Sequence, residues 1–420
     1  MRASLVVAAL VSFSAPALAQ EADPALHWQR GALRGTVSAY LQAELQLHAE
    51  SETAVSADGR SLLQFDRFLL RRANVYADVR GPWFDLVLET TANTVNGPVF
   101  GLAQAYGTLR WPRDPTDDPP RAALSVGLLR APFGWQNRVG AREWGFTEPT
   151  LAVRAMFPGQ SDLGARVHGA LAWLRYDVAV MNGHPIGDRS FPLLAPSGPQ
   201  DIVGRVGVAV RSASRETAFE AGVSALWGRG FDAGSPATPD TIAYRDVNQT
   251  GVLDPANLVL VPGHPAVPAQ SFSRWALGLD AVVRARPHRR WRFMAFAEAV
   301  VAQDLDRAVA VADPVTTGVA AREVGWAVGT VHTLFDHAVV GVRVDGYDPN
   351  ADFLAPQAGR LVPASQAYVT ASVLVGYALD ATNRVVLPYD HIADHLAVDA
   401  AGRPTDLHND AFTARLQVGM

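Results

Sequence analysis

The chain has 420 residues, 49% of them hydrophobic, yet its mean hydropathy is close to zero and its formal net charge is −5. There is no cysteine, which excludes a disulfide framework, a thiolate metal site and a thiol nucleophile. The 36 bases are all arginine and nearly balance 41 acids, so nothing favours a nucleic-acid partner.

Residues 1–19 read as an export signal: basic Arg2, an apolar run from Leu5 to Phe13, and Ala17-Leu18-Ala19 as a small-x-small cleavage site before Gln20. Retention as an uncleaved anchor is the alternative reading. Residues 20–34 are then expected as a periplasmic N-terminal segment and 35–420 as the folded unit. No later apolar stretch reaches about 18 residues, so any membrane crossing must be made by strands. In hydrocarbon, strands satisfy every backbone N–H and C=O only when they close into a barrel.

Two-residue alternation dominates the remainder of the chain. From Thr36 to Ala49 one face carries Thr36, Ser38, Tyr40, Gln42, Glu44, Gln46 and His48, and the other only Val, Ala and Leu. Successive strand residues point to opposite faces, so one side meets water and the other an apolar phase. The pattern predicts strands near 35–49, 65–80, 83–94, 100–112, 121–131, 162–173, 174–182, 201–212, 216–228, 271–286, 289–303, 322–333, 337–347, 365–378, 382–391 and 409–420. The expected fold is all-β: a transmembrane antiparallel β-barrel of about 16 strands, an even number as bacterial barrels require. Turns such as Gly81-Pro82 and Pro287-His288 alternate with long segments at 132–161, 183–200, 229–270 and 348–364, as short periplasmic turns alternate with long outer loops. Trp83, Trp111, Trp173, Trp227 and Trp291 stand at strand ends, where an interfacial girdle would place them. A soluble sandwich or propeller also alternates. Charges along nearly every polar face, opposite faces rich in Ala and Val, favour a wet lumen and a place in a Gram-negative outer membrane, with its lipid as partner.

Several segments in order resemble the phosphate-selective porin O and P family: Leu70-Arg71-Arg72-Ala73, Leu102-Ala103-Gln104-Ala105-Tyr106, Val126-Gly127-Leu128-Leu129-Arg130-Ala131-Pro132-Phe133-Gly134, Phe157-Pro158-Gly159-Gln160-Ser161-Asp162-Leu163-Gly164, Met181-Asn182-Gly183 and Tyr347-Asp348-Pro349-Asn350. The family shows an Arg-Arg strand, an Asp-Ala-Tyr strand and a Gly-Gln-Phe-Lys-x-Pro-Phe-Gly segment in this order. The resemblance covers most of the mature chain and implies a trimeric, 16-stranded porin with one loop folded into the lumen. Gln104 replaces the family's Asp, Leu128 and Leu129 its Gln-Phe, and Gln160 an Arg. The chain ends in Met420 rather than an aromatic, and the lysines of phosphate-binding members have no counterpart. Phosphate selectivity is therefore not carried over.

If segment 132–161 folds inward, Arg138, Arg142, Glu143, Glu148 and Arg154 would narrow the pore and set its ion preference, because fixed charge in a confined space concentrates counterions. Arg130 at its start and Arg72, Arg110, Arg166, Arg205, Arg274, Arg292, Arg343 and Arg415 on polar faces would extend a basic track. The alternative is that these arginines pair with Glu44, Asp78, Asp85, Glu89, Asp280, Glu298 and Asp345 and merely keep the lumen wet. Only a mild anion preference is therefore expected, in a channel passing small hydrophilic solutes.

In the longest loop, Asp246, Asn248, Thr250 and Asp254 with Gly251 match the start of a calcium loop, where carboxylates supply hard donors around a sharp turn. Residue 12 of that pattern is Asn257 rather than Glu, and an Asx-turn explains the same letters. A structural Ca2+ here is the one cofactor the sequence offers. The rival function is a closed outer-membrane barrel serving as a structural or adhesion protein with that loop ordered by calcium. No Gly-x-Ser-x-Gly elbow is present, and His391 and His395 lack the Glu of a metalloprotease helix, so an enzyme is not expected.

Overall fold

The structure, a computed structural model, describes residues 25–49, 66–111, 119–188, 191, 200–212, 216–245, 255–394, 397–398, 404–406 and 409–420. The export signal at 1–19 lies outside the described residues.

Sixteen antiparallel strands close into a barrel. They are β1 Leu33–His48, β2 Arg67–Arg80, β3 Phe84–Asn93, β4 Val99–Trp111, β5 Ala122–Arg130, β6 Ser161–Leu171, β7 Leu174–Met181, β8 Asp201–Arg211, β9 Thr217–Asp232, β10 Gln270–His288, β11 Trp291–Gln303, β12 Arg322–Leu334, β13 Ala338–Asp348, β14 Tyr368–Ala378, β15 Arg384–Ala393 and β16 Ala411–Gly419. Each pairs with its neighbours in sequence, and β1 closes the cylinder against β16 from Tyr40↔Gly419 to His48↔Ala411. Every one of the expected strands is present. Within the expected N-terminal segment, Leu26–Arg30 forms a further strand that turns at Gly31 and pairs with the start of β1, Leu26 opposite Val37. It continues the edge of β1 beyond the point where Met420 exchanges hydrogen bonds with Ala39.

The burial pattern is that of a soluble protein turned inside out. Along β1 and β16, Gln42, Glu44, Arg415 and Gln417 are at most 3% exposed, while on β10 Leu277 and Leu279 are 57% and 60% exposed. Large contiguous apolar surface of this kind needs a covering phase, and on a closed barrel that phase is lipid. The barrel is therefore an outer-membrane barrel. Trp83, Trp111, Trp173 and Trp291 are exposed at the short-turn end and Trp227 toward the other end, which matches the expected girdles. No helix among the described residues is long and apolar enough to cross a membrane.

Alternation lapses on one side of the lumen. Val203 on β8, Leu226 on β9, Val282 on β10, Phe296 and Val300 on β11 and Val331 on β12 are inward-facing, apolar and buried. They would be misplaced in a purely wet lumen. What covers them is a loop.

Candidate functional site

The segment between β5 and β6, residues 131–160, folds into the lumen and packs its apolar side chains on that wall. Phe133 and Phe157 meet at 5.0 Å, Trp135 lies 5.0 Å from Phe296, and Phe133, Met156 and Phe157 join Leu226, Ala276 and Val300 in one buried cluster. The chain turns inward at Gly134, which has φ +60°; a Cβ there would run into Glu298 Oε1. The Gly134 N–H donates to Ser224 Oγ at 3.0 Å and the Gln136 N–H to Glu298 Oε2 at 3.2 Å. Gln136 braces the loop internally: its Oε1 accepts from the Thr150 N–H and its carbonyl from Trp144 Nε1. A short helix, Leu151–Met156, sits against β12 and β13, with Ala152 filling the space left by Gly325.

On the opposite wall the loop is held by charge. Arg72 forks onto both oxygens of Glu148 at 2.6 Å, Arg71 Nε donates at 2.9 Å, and Arg415 Nη2 at 2.9 Å. Two adjacent strand residues ordinarily point to opposite faces. Arg71 and Arg72 both reach inward because β2 is bulged there: Arg72 stands opposite Gln42 and Leu70 opposite Ala43, leaving Arg71 as the extra residue. Arg415 also binds Glu44 on β1 and donates to the Thr147 carbonyl at 2.5 Å, and Arg343 donates to the Glu148 carbonyl at 2.8 Å. Arg384 holds the Arg142 and Trp144 carbonyls at 3.3 and 3.1 Å. Burial would push the Glu148 carboxyl up; the Arg72, Arg71 and Arg415 guanidiniums outweigh it and hold the group well below the usual carboxylate range.

Most of the expected arginine track is paired. Arg110 binds Asp85 at 2.6 Å, Arg130 binds Glu89 at 3.2 Å, Arg138 binds Glu220 at 2.8 Å, Arg274 binds Asp201 at 2.8 Å and Arg343 binds Asp345 at 2.8 Å; Arg166 stands 3.7 Å from Asp177. Pairing, rather than an open basic track, describes the wall. The structure brings Arg72, Arg130, Arg138, Arg142, Glu143, Glu148, Arg154 and Arg343 together on or against the loop. It sets Arg110 beside Trp83 at the short-turn end and Arg274 beside Gly183 at the long-loop end. Arg142 and Arg154 on the loop, together with Arg284, form no ion pair with a carboxylate among the described residues, although Arg154 lies in the field of Glu148 and Asp345 and Arg284 in that of Glu220, and Glu143 is exposed. Glu220, Arg71 and Arg384 were not singled out by the sequence pattern; the Arg-Arg pair that interrupts alternation in β2 was the available signal. Below the loop Arg138, Arg205, His168, Tyr176, Asp177 and Glu220 line a cavity of about 200 Å³. The candidate calcium residues Asp246, Asn248, Thr250 and Asp254 lie outside the described residues.

The barrel is similar in fold to solved outer-membrane proteins. The outer-membrane channel DcaP of Acinetobacter baumannii superposes with TM-score 0.52 at 8% identity, over 93% of this chain and 99% of that one. OprB of Pseudomonas putida gives TM-score 0.52 at 13% identity, over 93% and 94%. An anion-selective porin from Comamonas acidovorans gives 0.50 at 8%, over 92% and 99%. No family model matches the sequence, and no curated protein does.

Proposed function

We propose that this protein is an outer-membrane porin for passive diffusion of small hydrophilic solutes, with a mild preference for anions, assembled as a homotrimer. The order of its motifs resembles the phosphate-selective porin O and P family, without the lysines that phosphate selection would use. One observation carries the reading: a loop lies across the lumen of a closed barrel, and neither its Arg142 nor its Arg154 forms an ion pair with a carboxylate among the described residues, Arg154 standing only in the wider field of Glu148 and Asp345. Wall arginines paired with carboxylates contribute dipoles. Unmatched ones on the constricting loop contribute net field, and counterions concentrate there.

Single-channel recording in planar bilayers tests the proposal. Stepwise conductance is expected, with a reversal potential in a salt gradient displaced toward the anion. Absence of conductance in every salt would remove the porin reading and leave the closed structural barrel in its place. Conductance with a cation-directed reversal potential would remove only the anion preference.

A further inference from the structure

The turn joining β10 to β11 differs from the other short turns. Residues 284–292 read Arg284-Ala285-Arg286-Pro287-His288-Arg289-Arg290-Trp291-Arg292, five arginines in nine residues, whereas the nine-residue stretches 78–86, 169–177, 210–218, 332–340 and 377–385 about the other short turns contain at most two. Arg284 lies over Trp135 in the lumen, while Arg286, His288, Arg289 and Arg290 at the turn are all exposed. The hairpin is ordered by its own bonds: Arg286 donates through Nε and Nη2 to the Arg289 carbonyl at 3.1 and 2.6 Å. Acidic relief is slight. Arg290 faces Asp336 at 3.3 Å, with both side chains more than 40% exposed, and the neighbouring strand brings Glu216, whose carbonyl accepts from the Arg286 N–H. The Arg289 side chain has no partner among the described residues.

Immediately beside this charge lies an aromatic shelf on the lipid-facing wall. Trp291 stacks on His332 at 6.1 Å and His332 on Phe293 at 5.7 Å, and Trp291 Nε1 donates to His332 Nδ1 at 3.2 Å. Phe335 is 66% exposed, and Arg290 lies 5.9 Å over its ring. Amphipathic rings mark the level of lipid headgroups. The guanidiniums therefore stand at the height of the phosphates, on the side with the short turns, which faces the periplasm in bacterial barrels.

We infer that this hairpin is a binding site for the headgroup of an anionic phospholipid of the periplasmic leaflet. A guanidinium fork matches two phosphate oxygens, and Arg289 is free to supply one. Every phospholipid carries the phosphate, so discrimination rests on net charge: a phosphatidylglycerol headgroup is anionic, whereas in phosphatidylcholine the adjacent ammonium cancels the attraction. Each arginine near a membrane surface favours anionic lipid by about 1 kcal/mol, or about five-fold.

The test is the lipid retained by full-length protein released from nanodiscs of equal phosphatidylglycerol and phosphatidylcholine, counted by native mass spectrometry. Wild type should retain phosphatidylglycerol in excess. Arg289→Gln should reduce the excess about five-fold, and the triple variant Arg286→Gln, Arg289→Gln, Arg290→Gln should abolish it. Heat-modifiable electrophoretic mobility confirms that each barrel is folded, and wild type in rising salt supplies a measurement needing no variant: its excess should fall. No excess in wild type, an excess the triple variant keeps, or complete stripping of the lipid by millimolar inorganic phosphate would each overturn the assignment, the last by reassigning the site to a free anion.

Discussion

Replacing Glu148 by Gln removes one charge and almost no volume, and it tests whether the loop is latched electrostatically. In the wild type this carboxylate receives Arg71, Arg72 and Arg415, at 2.9, 2.6 and 2.9 Å. Arg415 retains Glu44, and Arg72 retains Gln42 Oε1 at 3.3 Å, but Arg71 and Arg72 lose their carboxylate. Removing one partner from a buried ion cluster costs about 3–5 kcal/mol, mostly because the remaining charges are left uncompensated. The Arg384 bonds to the Arg142 and Trp144 carbonyls and the seating of Phe146 on the apolar wall still hold the loop up to Phe146. The variant should therefore fold, loosen residues 147–150, and expose two guanidiniums to the lumen. Single-channel recording should show larger and noisier conductance with a reversal potential moved further toward the anion. A folded Glu148→Gln barrel with wild-type conductance and selectivity would refute the latch. The pH dependence comes from the same cluster. A carboxyl whose folded pKa is depressed contributes stability that is present above its unfolded value of about 4.3 and lost as pH falls through the lower folded value. Wild-type conductance should thus stay unchanged from neutrality down to about pH 4.3 and become noisy only in stronger acid.

Three other perturbations address the charge, the turn and the wall. Arg142→Ala with Arg154→Ala should move the reversal potential toward the cation, and Glu143→Gln should move it the other way, because none of these loop charges is held in a direct ion pair; equal selectivity in all three proteins would count against the loop as selector. Gly134→Ala places a Cβ against Glu298 at φ +60°, a strained conformation costing about 1–3 kcal/mol, and should make the loop cleavable by protease in a barrel that otherwise resists it. Leu279→Arg puts a charge midway along β10 on the lipid face, where about 2–4 kcal/mol of stability should be lost; chemical unfolding from lipid vesicles at the wild-type midpoint would contradict the assignment of that face.

The barrel was legible because alternation is imposed separately on each strand by two incompatible solvents. It fails where that condition fails. β9 and β10 continue as a pair past the expected ends near 228 and 271, to Asp232↔Gln270, where Arg229-Gly230-Phe231-Asp232 carries no polar–apolar alternation to read. The N-terminal strand Leu26–Arg30 is exposed on both faces and left no period either. In the site, the loop's location followed from motif order, but Glu148 as its anchor did not. Its partners come from positions 71, 72 and 415, and only closure of the cylinder between β1 and β16 makes them neighbours. Arg71 was hidden for a local reason: the bulge resets the parity of β2, so a residue that strict alternation would turn to the lipid side points inward.

The inward apolar residues also decide how the loop can move. Val282, Phe296, Val300 and Val331 break the polar face of their strands, and each lies among residues of the loop or the wall it covers. A loop attached only by ion pairs would be released by salt, since screening shortens the reach of charges to about 3 Å at 1 M. One attached only by burial would have no means of being fixed over the polar half of the lumen. Here the two attachments are at opposite walls: Phe133, Trp135 and Phe146 on β9–β13, Glu148 on β2 and β16. Any perturbation that weakens charge must therefore free the Glu148 end first while the Trp135 end stays seated, so the loop swings about its apolar root rather than leaving the lumen, and the arginines it carries remain within the lumen.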